Sequence, residues 1–430
     1  MSLPMSLFSF FRTLSIKNKG LSNLFEGKAQ QALLWMNLSA EPFVVIYALL
    51  PFILRKDLHA SLLQISILTA LRPVLPIFSF YWSANLTNKK HLLRSNLIGA
   101  WALARIPFLF IPWIDNVWYI IFCCAVYEFF HKSGIPALIE ILKITLSKET
   151  REKTYAFYFV LSFLESILLG LFIGGLLDLH PKAWQFLCSL TAILGLSSLW
   201  IQLKVPIPED SKTIKQIEPK TNRLLKPWKE AFLLLKKRKD FAHFQQGFMI
   251  GGFGLMLMTP SLSLFYADYL KLAHSQVITG RSIFMGIGIV LSSYFWRKSL
   301  SSSTTKTIPL LSLKILIGFG LFPLTLLLSP LGMEWFYLSF LFYGVAQAGS
   351  HLLWNLSGTI FSDKEDSSPF SRVNILMVGL RGIVAPLLGG MLCKLLGPTP
   401  VLLLGAFICL SGAYYMRPER KQKEVLPSSF

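Results

Sequence analysis

Long apolar runs separated by short polar breaks dominate this chain. They lie at about 30–54, 60–82, 95–113, 117–138, 156–178 and 183–203, and again at about 242–267, 275–296, 308–329, 334–356, 373–394 and 399–416. A bilayer's hydrocarbon core takes about 20 residues of helix to cross. Inside lipid a helix satisfies its own backbone hydrogen bonds, which a lone strand cannot do. The pattern therefore predicts an all-α membrane protein of about 12 transmembrane helices. Turns such as Ile114-Asp115-Asn116 and Gly397-Pro398-Thr399 are short enough to make the helices they join antiparallel neighbours. The longest connection, 204–240, holds Pro206, Pro208, Pro219 and Pro227 with eleven basic and five acidic residues. It reads as a basic cytoplasmic linker between two six-helix bundles, 29–203 and 241–417. Residues 1–28 form a cytoplasmic lead-in and 418–430 a cytoplasmic tail.

Composition agrees with lipid as the main solvent: 53% of residues are hydrophobic, 15% are charged, and mean hydropathy is +0.55. Soluble domains carry about a quarter charged residues. The net charge of +20 raises the question of nucleic acid, and its distribution answers it. Lys17, Lys19, Lys28, Lys89, Lys90, Arg94, Lys143, Lys148, Arg151 and Lys153 all fall on one side of the alternating spans. So do the 204–239 cations, Arg297, Lys298, Lys306, Arg417, Arg420, Lys421 and Lys423. The other side has little beyond Arg55, Lys56, Lys182 and Lys271. This is the positive-inside asymmetry, which places both termini in the cytoplasm and leaves no charge for nucleic acid to explain.

Cys123, Cys124, Cys188, Cys393 and Cys409 all lie within apolar runs, without a CxxC pair or metal-ligand spacing. They read as buried small hydrophobes, and neither metal nor cofactor is expected. The first cation, Arg12, follows the apolar N-terminal run, the reverse of a cleavable signal peptide.

Shifting the sequence by 215 residues aligns Gln30-Gln31 with Gln245-Gln246, His59 with His274, Gly134 with Gly349, Ser147 with Ser362 and Gly174-Gly175 with Gly389-Gly390. Both halves start in the cytoplasm and hold six spans, so the repeats are parallel, a known transporter plan. The stretch Gly134-Ile-Pro-Ala137, the charged turn Ser147–Lys153 and the glycine-rich Leu169–Leu177 resemble the fourth helix, turn and fifth helix of the major facilitator superfamily. Ser362–Asp366 leading to Ala385-Pro-Leu-Leu-Gly-Gly390 is the second copy. The turn after the second helix, Ser83-Ala-Asn-Leu-Thr-Asn-Lys-Lys90, departs from the family's Gly/Asp/Arg-rich pattern. Gly170, Gly174, Gly175, Gly389 and Gly390 read as helix-packing glycines, since small residues let helices approach closely in lipid.

Ionisable residues at bilayer depth cost about 2.5–3.5 kcal/mol on insertion scales and point to function by default. Here they are Glu41, Arg72, Arg105, Glu128, Glu165, Arg281 and Arg381, with His131 and Lys132 below Glu128 in a wetted position. The family resemblance implies that all except Arg105 sit on helices lining a central cavity. Glu165 and Arg381 fall within one residue of equivalent repeat positions, which suits a gating ion pair or a cation for substrate beside a protonatable glutamate. Glu41 shares a helix face with Asn37 and adjoins Pro42, which marks it as a proton carrier. A backbone carbonyl freed by Pro73 is the structural alternative for Arg72. Tyr343, at the repeat position of Glu128, together with His351, Trp354 and Asn355 suits a pocket wall. Substrate-binding or coupling residues are thus expected among Glu41, Arg72, Glu128, Glu165, Tyr343, Asn355 and Arg381.

No GxxxxGK[ST] sequence is present, and the seven histidines are dispersed, which argues against an ATP-driven pump or an intramembrane enzyme. The expected function is secondary active transport of a small anionic or zwitterionic organic solute by alternating access, with protons as the candidate coupling ion. The alternatives are a lipid flippase or hydrophobic-drug exporter on the same fold, or a non-transporting sensor or scaffold. The partners are a solute and the lipid bilayer, a monomer is favoured, and the location is a bacterial inner (plasma) membrane.

Overall fold

A computed structural model describes residues 28–78, 92–146, 148–180, 182–203, 226–301, 305, 307–362 and 367–417. Among these the chain runs through α1 Lys28–Leu58, α2 Leu62–Val74, α3 Leu93–Arg105 with a 3-10 turn Ile106–Trp113, α4 Val117–Thr145, α5 Lys148–Leu179 and α6 Ala183–Leu203. Next come α7 Lys226–Lys237, α8 Lys239–Leu264 with a π-helical turn Phe265–Tyr269, α9 His274–Ile278 with a second π turn Thr279–Phe284, and α10 Met285–Ser301. The last are α11 Ile308–Leu326 with a 3-10 turn Ser329–Leu331, α12 Met333–Ser362, α13 Ser368–Leu396 and α14 Pro398–Tyr415.

Eight of these stretches are long and apolar enough to cross a membrane, and Leu62–Phe78 is a shorter apolar helix. The helices α4, α5 and α12, of 29, 32 and 30 residues, are also long enough at 1.5 Å rise per residue. They carry several of the deep polar side chains, among them Glu128, Glu165 and Tyr343. Among the described residues eleven span-length segments and the shorter α2 result, all helical, as the apolar pattern predicts.

Local chemistry sets the ends. Asn116 caps α4, its side-chain oxygen accepting from the Trp118 and Tyr119 backbone N–H groups at 2.8 and 3.4 Å. Ser61 and Gln64 form a capping box at the start of α2. Gly397 joins α13 to α14 at φ 82°, with nothing within 4 Å of an added Cβ, so backbone conformation and not space requires glycine there.

The chain divides into two compact units, comprising the described residues of Met1–Leu50 with Phe78–Glu218, and of Pro51–Ile77 with Pro219–Phe430. In the first unit α1, α3, α4 and α6 share a core of Leu33, Met36, Leu97, Trp101, Ile141 and Leu199. A buried Gln30 side chain donates to Thr154, tying α1 to α5. The second unit has a core of Leu257, Leu264, Ala385, Cys393 and Val401, with Gln245 donating to Asn374 between α8 and α13.

The second unit also takes in the end of α1 and all of α2, which the sequence reading put in the first bundle. Polar contacts explain the placement. Arg55 Nε donates to Asp268 at 2.9 Å, Lys56 to the Leu272 carbonyl at 2.6 Å, and His274 pairs with Asp57 at 3.3 Å. The α2 helix then lies along the α13 glycines: Pro73 covers Gly382, Ile77 covers Gly379 and Ser66 covers Gly390.

Each unit has a glycine notch filled by an indole. A Cβ at Gly134 would lie 2.5 Å from Trp101 Nε1, and one at Gly349 2.7 Å from Trp296 Cε2. Trp101 donates to the His131 carbonyl at 3.3 Å, and Trp296 to the Val345 carbonyl at 2.9 Å.

Candidate functional site

The deep carboxylates belong to the first unit. Glu41 of α1 accepts a hydrogen bond from Ser166 of α5, and Glu165 is close enough to Glu41 for the two to interact electrostatically. One carboxylate oxygen of Glu165 is buried without a hydrogen-bond partner. Asn37 does not serve Glu41: its amide donates to the Leu33 carbonyl at 3.0 Å within its own helix. Glu128 of α4 is 2% exposed and hydrogen-bonds with the Tyr47 hydroxyl of α1.

Near Glu128 the rings of Tyr127, His131 and Trp101 form a stack with centroid separations of 5.0 and 5.4 Å, and Tyr47 lies tilted against Tyr127 at 5.0 Å. His131 is half-buried. It lies flat between two rings, with a buried Nδ1 that lacks a hydrogen-bond partner. The Arg105 guanidinium caps this stack 5.4 Å from the Trp101 ring and fills a notch at Gly195 of α6.

Arg72, Arg281 and Arg381 lie in the second unit. Arg381 of α13 has the same arrangement as Arg105. It donates to the Phe248 carbonyl, fills a notch at Gly252 of α8, and sits 5.9 Å from the Trp354 ring centroid. Its charge is used to hold α8 against α13. Arg381 and Glu165 belong to different units.

Arg72 and Arg281 differ. Arg72 is exposed on α2 and Arg281 stands in the second π turn, near enough to Arg72 for the two cations to repel. Among the described residues neither makes a hydrogen bond or an ion pair, so no backbone carbonyl near Pro73 satisfies Arg72. Around them are His351, which senses the charge of Arg72, and Tyr343, which interacts with Arg281. Gln347 donates to the Tyr343 hydroxyl at 2.7 Å.

Sequence reasoning passed over Gln347, although Tyr343, Gln347 and His351 follow each other at four-residue spacing on one helix face. Asn355 is exposed one turn beyond His351. It makes no hydrogen bond among the described residues. Arg72 and Arg281 thus repel each other next to hydrogen-bonding side chains, with no acidic partner among the described residues.

The glycines divide. Gly389 meets the Leu257 carbonyl of α8 and Gly390 meets Ser66 of α2, both at close helix contacts. Gly170 and Gly174 are buried in α5. Gly175 is exposed with nothing within 4 Å of an added Cβ, so it makes no close packing contact.

Residues 33–367 match the family model described as Major Facilitator Superfamily. Among solved structures, the chain is similar to the nucleoside transporter NupG, with 17% identity, a TM-score of 0.66, and coverage of 90% of this chain and 98% of that one. It is similar to the peptide transporter POT in complex with sulfate, at 12% identity and TM-score 0.64, covering 91% and 94%. A D-xylose-proton symporter aligns at 12% identity and TM-score 0.61, covering 90% and 95%. No curated protein sequence matches the chain.

Proposed function

This chain belongs to the major facilitator superfamily, and within that family of transporters we propose that it is a secondary transporter for a small organic anion or zwitterion. The observation carrying the substrate class is the Arg72–Arg281 pair, exposed or half-buried, without a carboxylate partner among the described residues. Two like charges this close raise each other's energy, and a bound carboxylate or phosphate relieves both. Tyr343, Gln347 and His351 supply hydrogen bonds that orient the rest of the solute. The Glu41–Glu165 pair supports proton coupling, because a proton between neighbouring carboxylates cancels their repulsion at bilayer depth. Alternating access delivers the solute, and the positive-inside distribution supports cytoplasmic termini.

The test is uptake into proteoliposomes under an imposed inward-acid pH gradient, with radiolabelled organic anions, zwitterions, sugars and hydrophobic cations. Accumulation of an anion or zwitterion, lost in Arg72→Gln and in Arg281→Gln, is the expected result. Accumulation of hydrophobic cations alone would replace this reading with drug export.

A further inference from the structure

The helix α7 lies outside the transport reading, and its surface is unusual for a linker. It begins with Lys226-Pro227-Trp228, runs to Lys237, and connects to the membrane-spanning α8 through a single non-helical residue, Arg238, at φ −109° and ψ 85°. Its exposed positions are Lys229, Phe232, Leu233, Lys236 and Lys237. The first four fall at i, i+3, i+4 and i+7, so they form one stripe along the helix. Phe232 and Leu233 are 70% and 53% exposed, with a lysine one turn before and one turn after them.

The opposite side is already occupied. Trp228, Ala231, Leu234 and Leu235 are half-buried, and Glu230 pairs with Arg372 of α13 at 3.0 Å. Arg238 is held by Asp240 at 2.9 Å and lies 5.5 Å from the Phe370 ring. The helix is therefore fixed by one face and presents the other.

We propose that this outward stripe is a docking surface for anionic phospholipids of the leaflet in which α8 begins. Three features select that occupant. The one-residue link keeps α7 at the end of a membrane span, within reach of headgroups. Exposed Lys229, Lys236, Lys237 and Lys239 are in no ion pair among the described residues, so their charge is available to lipid phosphate. Large apolar side chains flanked by lysines suit the interface, where the ring and leucine enter the acyl boundary while the ammonium groups reach the phosphates. A protein partner suits the stripe less well, since lysine is depleted from protein interface cores. The consequence is a transporter whose linker helix is ordered by the acidic lipid content of its membrane.

Hydrogen–deuterium exchange of the full-length protein in nanodiscs tests this, comparing phosphatidylcholine with a phosphatidylglycerol mixture. The expected result is slower exchange of the α7 amides in the anionic discs, by about fivefold for each lysine that engages the surface. Lys229→Glu with Lys236→Glu should abolish the difference, and Lys229→Arg with Lys236→Arg should preserve it. Unchanged exchange in the α8 amides shows that the variants remain folded. Equal protection in both lipids, or protection lost only with Phe232→Ser, would overturn the role of headgroup charge. Protection that rises with protein concentration in detergent would assign the stripe to a second copy and also overturn the proposal.

Discussion

Two arginines that look alike in the sequence have opposite surroundings. Arg72 and Arg381 both stand in apolar runs, yet only Arg381 meets a glycine notch, a backbone carbonyl and an indole. Which glycine opposes which side chain is decided by tertiary packing between α8 and α13, so no local pattern could separate the two. Arg105 with Gly195 and Trp101 repeats the arrangement in the other unit. Replacing Arg381 with alanine leaves the Phe248 carbonyl without its charged donor and should cost about 2 kcal/mol, read as a lower unfolding temperature. Arg72→Gln should leave that temperature unchanged and weaken anion binding about tenfold to a hundredfold. If the stability losses came out reversed, the division of labour between these arginines would be wrong.

Helix positions were mostly legible because lipid forces each apolar run to close its own hydrogen bonds. The expected run 183–203 coincides with α6 Ala183–Leu203, and the expected run 308–329 with Ile308–Leu331. Three features escaped. The helix α7 was hidden by the charge and prolines of the linker, although Trp228, Ala231 and Leu235 recur at helical spacing. The two π turns have no sequence mark. The repeat is also not uniform. His59 and Lys271, both at positive φ, and the Ser61–Gln64 and Ala273–Gln276 caps, are equivalent at a shift of 212, not the 215 that pairs His59 with His274. Glycine roles likewise depend on neighbours. Gly389→Ala should destabilise by about 1–3 kcal/mol, because its Cβ meets the Leu257 carbonyl. Gly175→Ala should be neutral or gain up to about 1 kcal/mol, as helical glycine does where space is open. Thermal unfolding of the two variants in one detergent distinguishes these outcomes.

Across the whole molecule the deep charges sort by unit. Glu41, Glu128 and Glu165 belong to the first, while Arg72, Arg281 and Arg381 belong to the second. The one deep arginine of the first unit, Arg105, is spent on its Gly195 notch. A division into proton-handling and anion-handling units follows from the account. Glu165→Gln should then abolish accumulation driven by a pH gradient while sparing solute counterflow, which needs no net proton movement. Loss of both activities would mean that Glu165 serves binding or structure instead. The most direct measurement is a thermal-shift titration of the purified protein with organic anions, repeated for Arg281→Gln. The account predicts that an anion raises the unfolding temperature of the wild type, and that the variant retains its basal stability but loses the shift. An equal shift in both proteins would contradict it, because the anion would then be bound elsewhere.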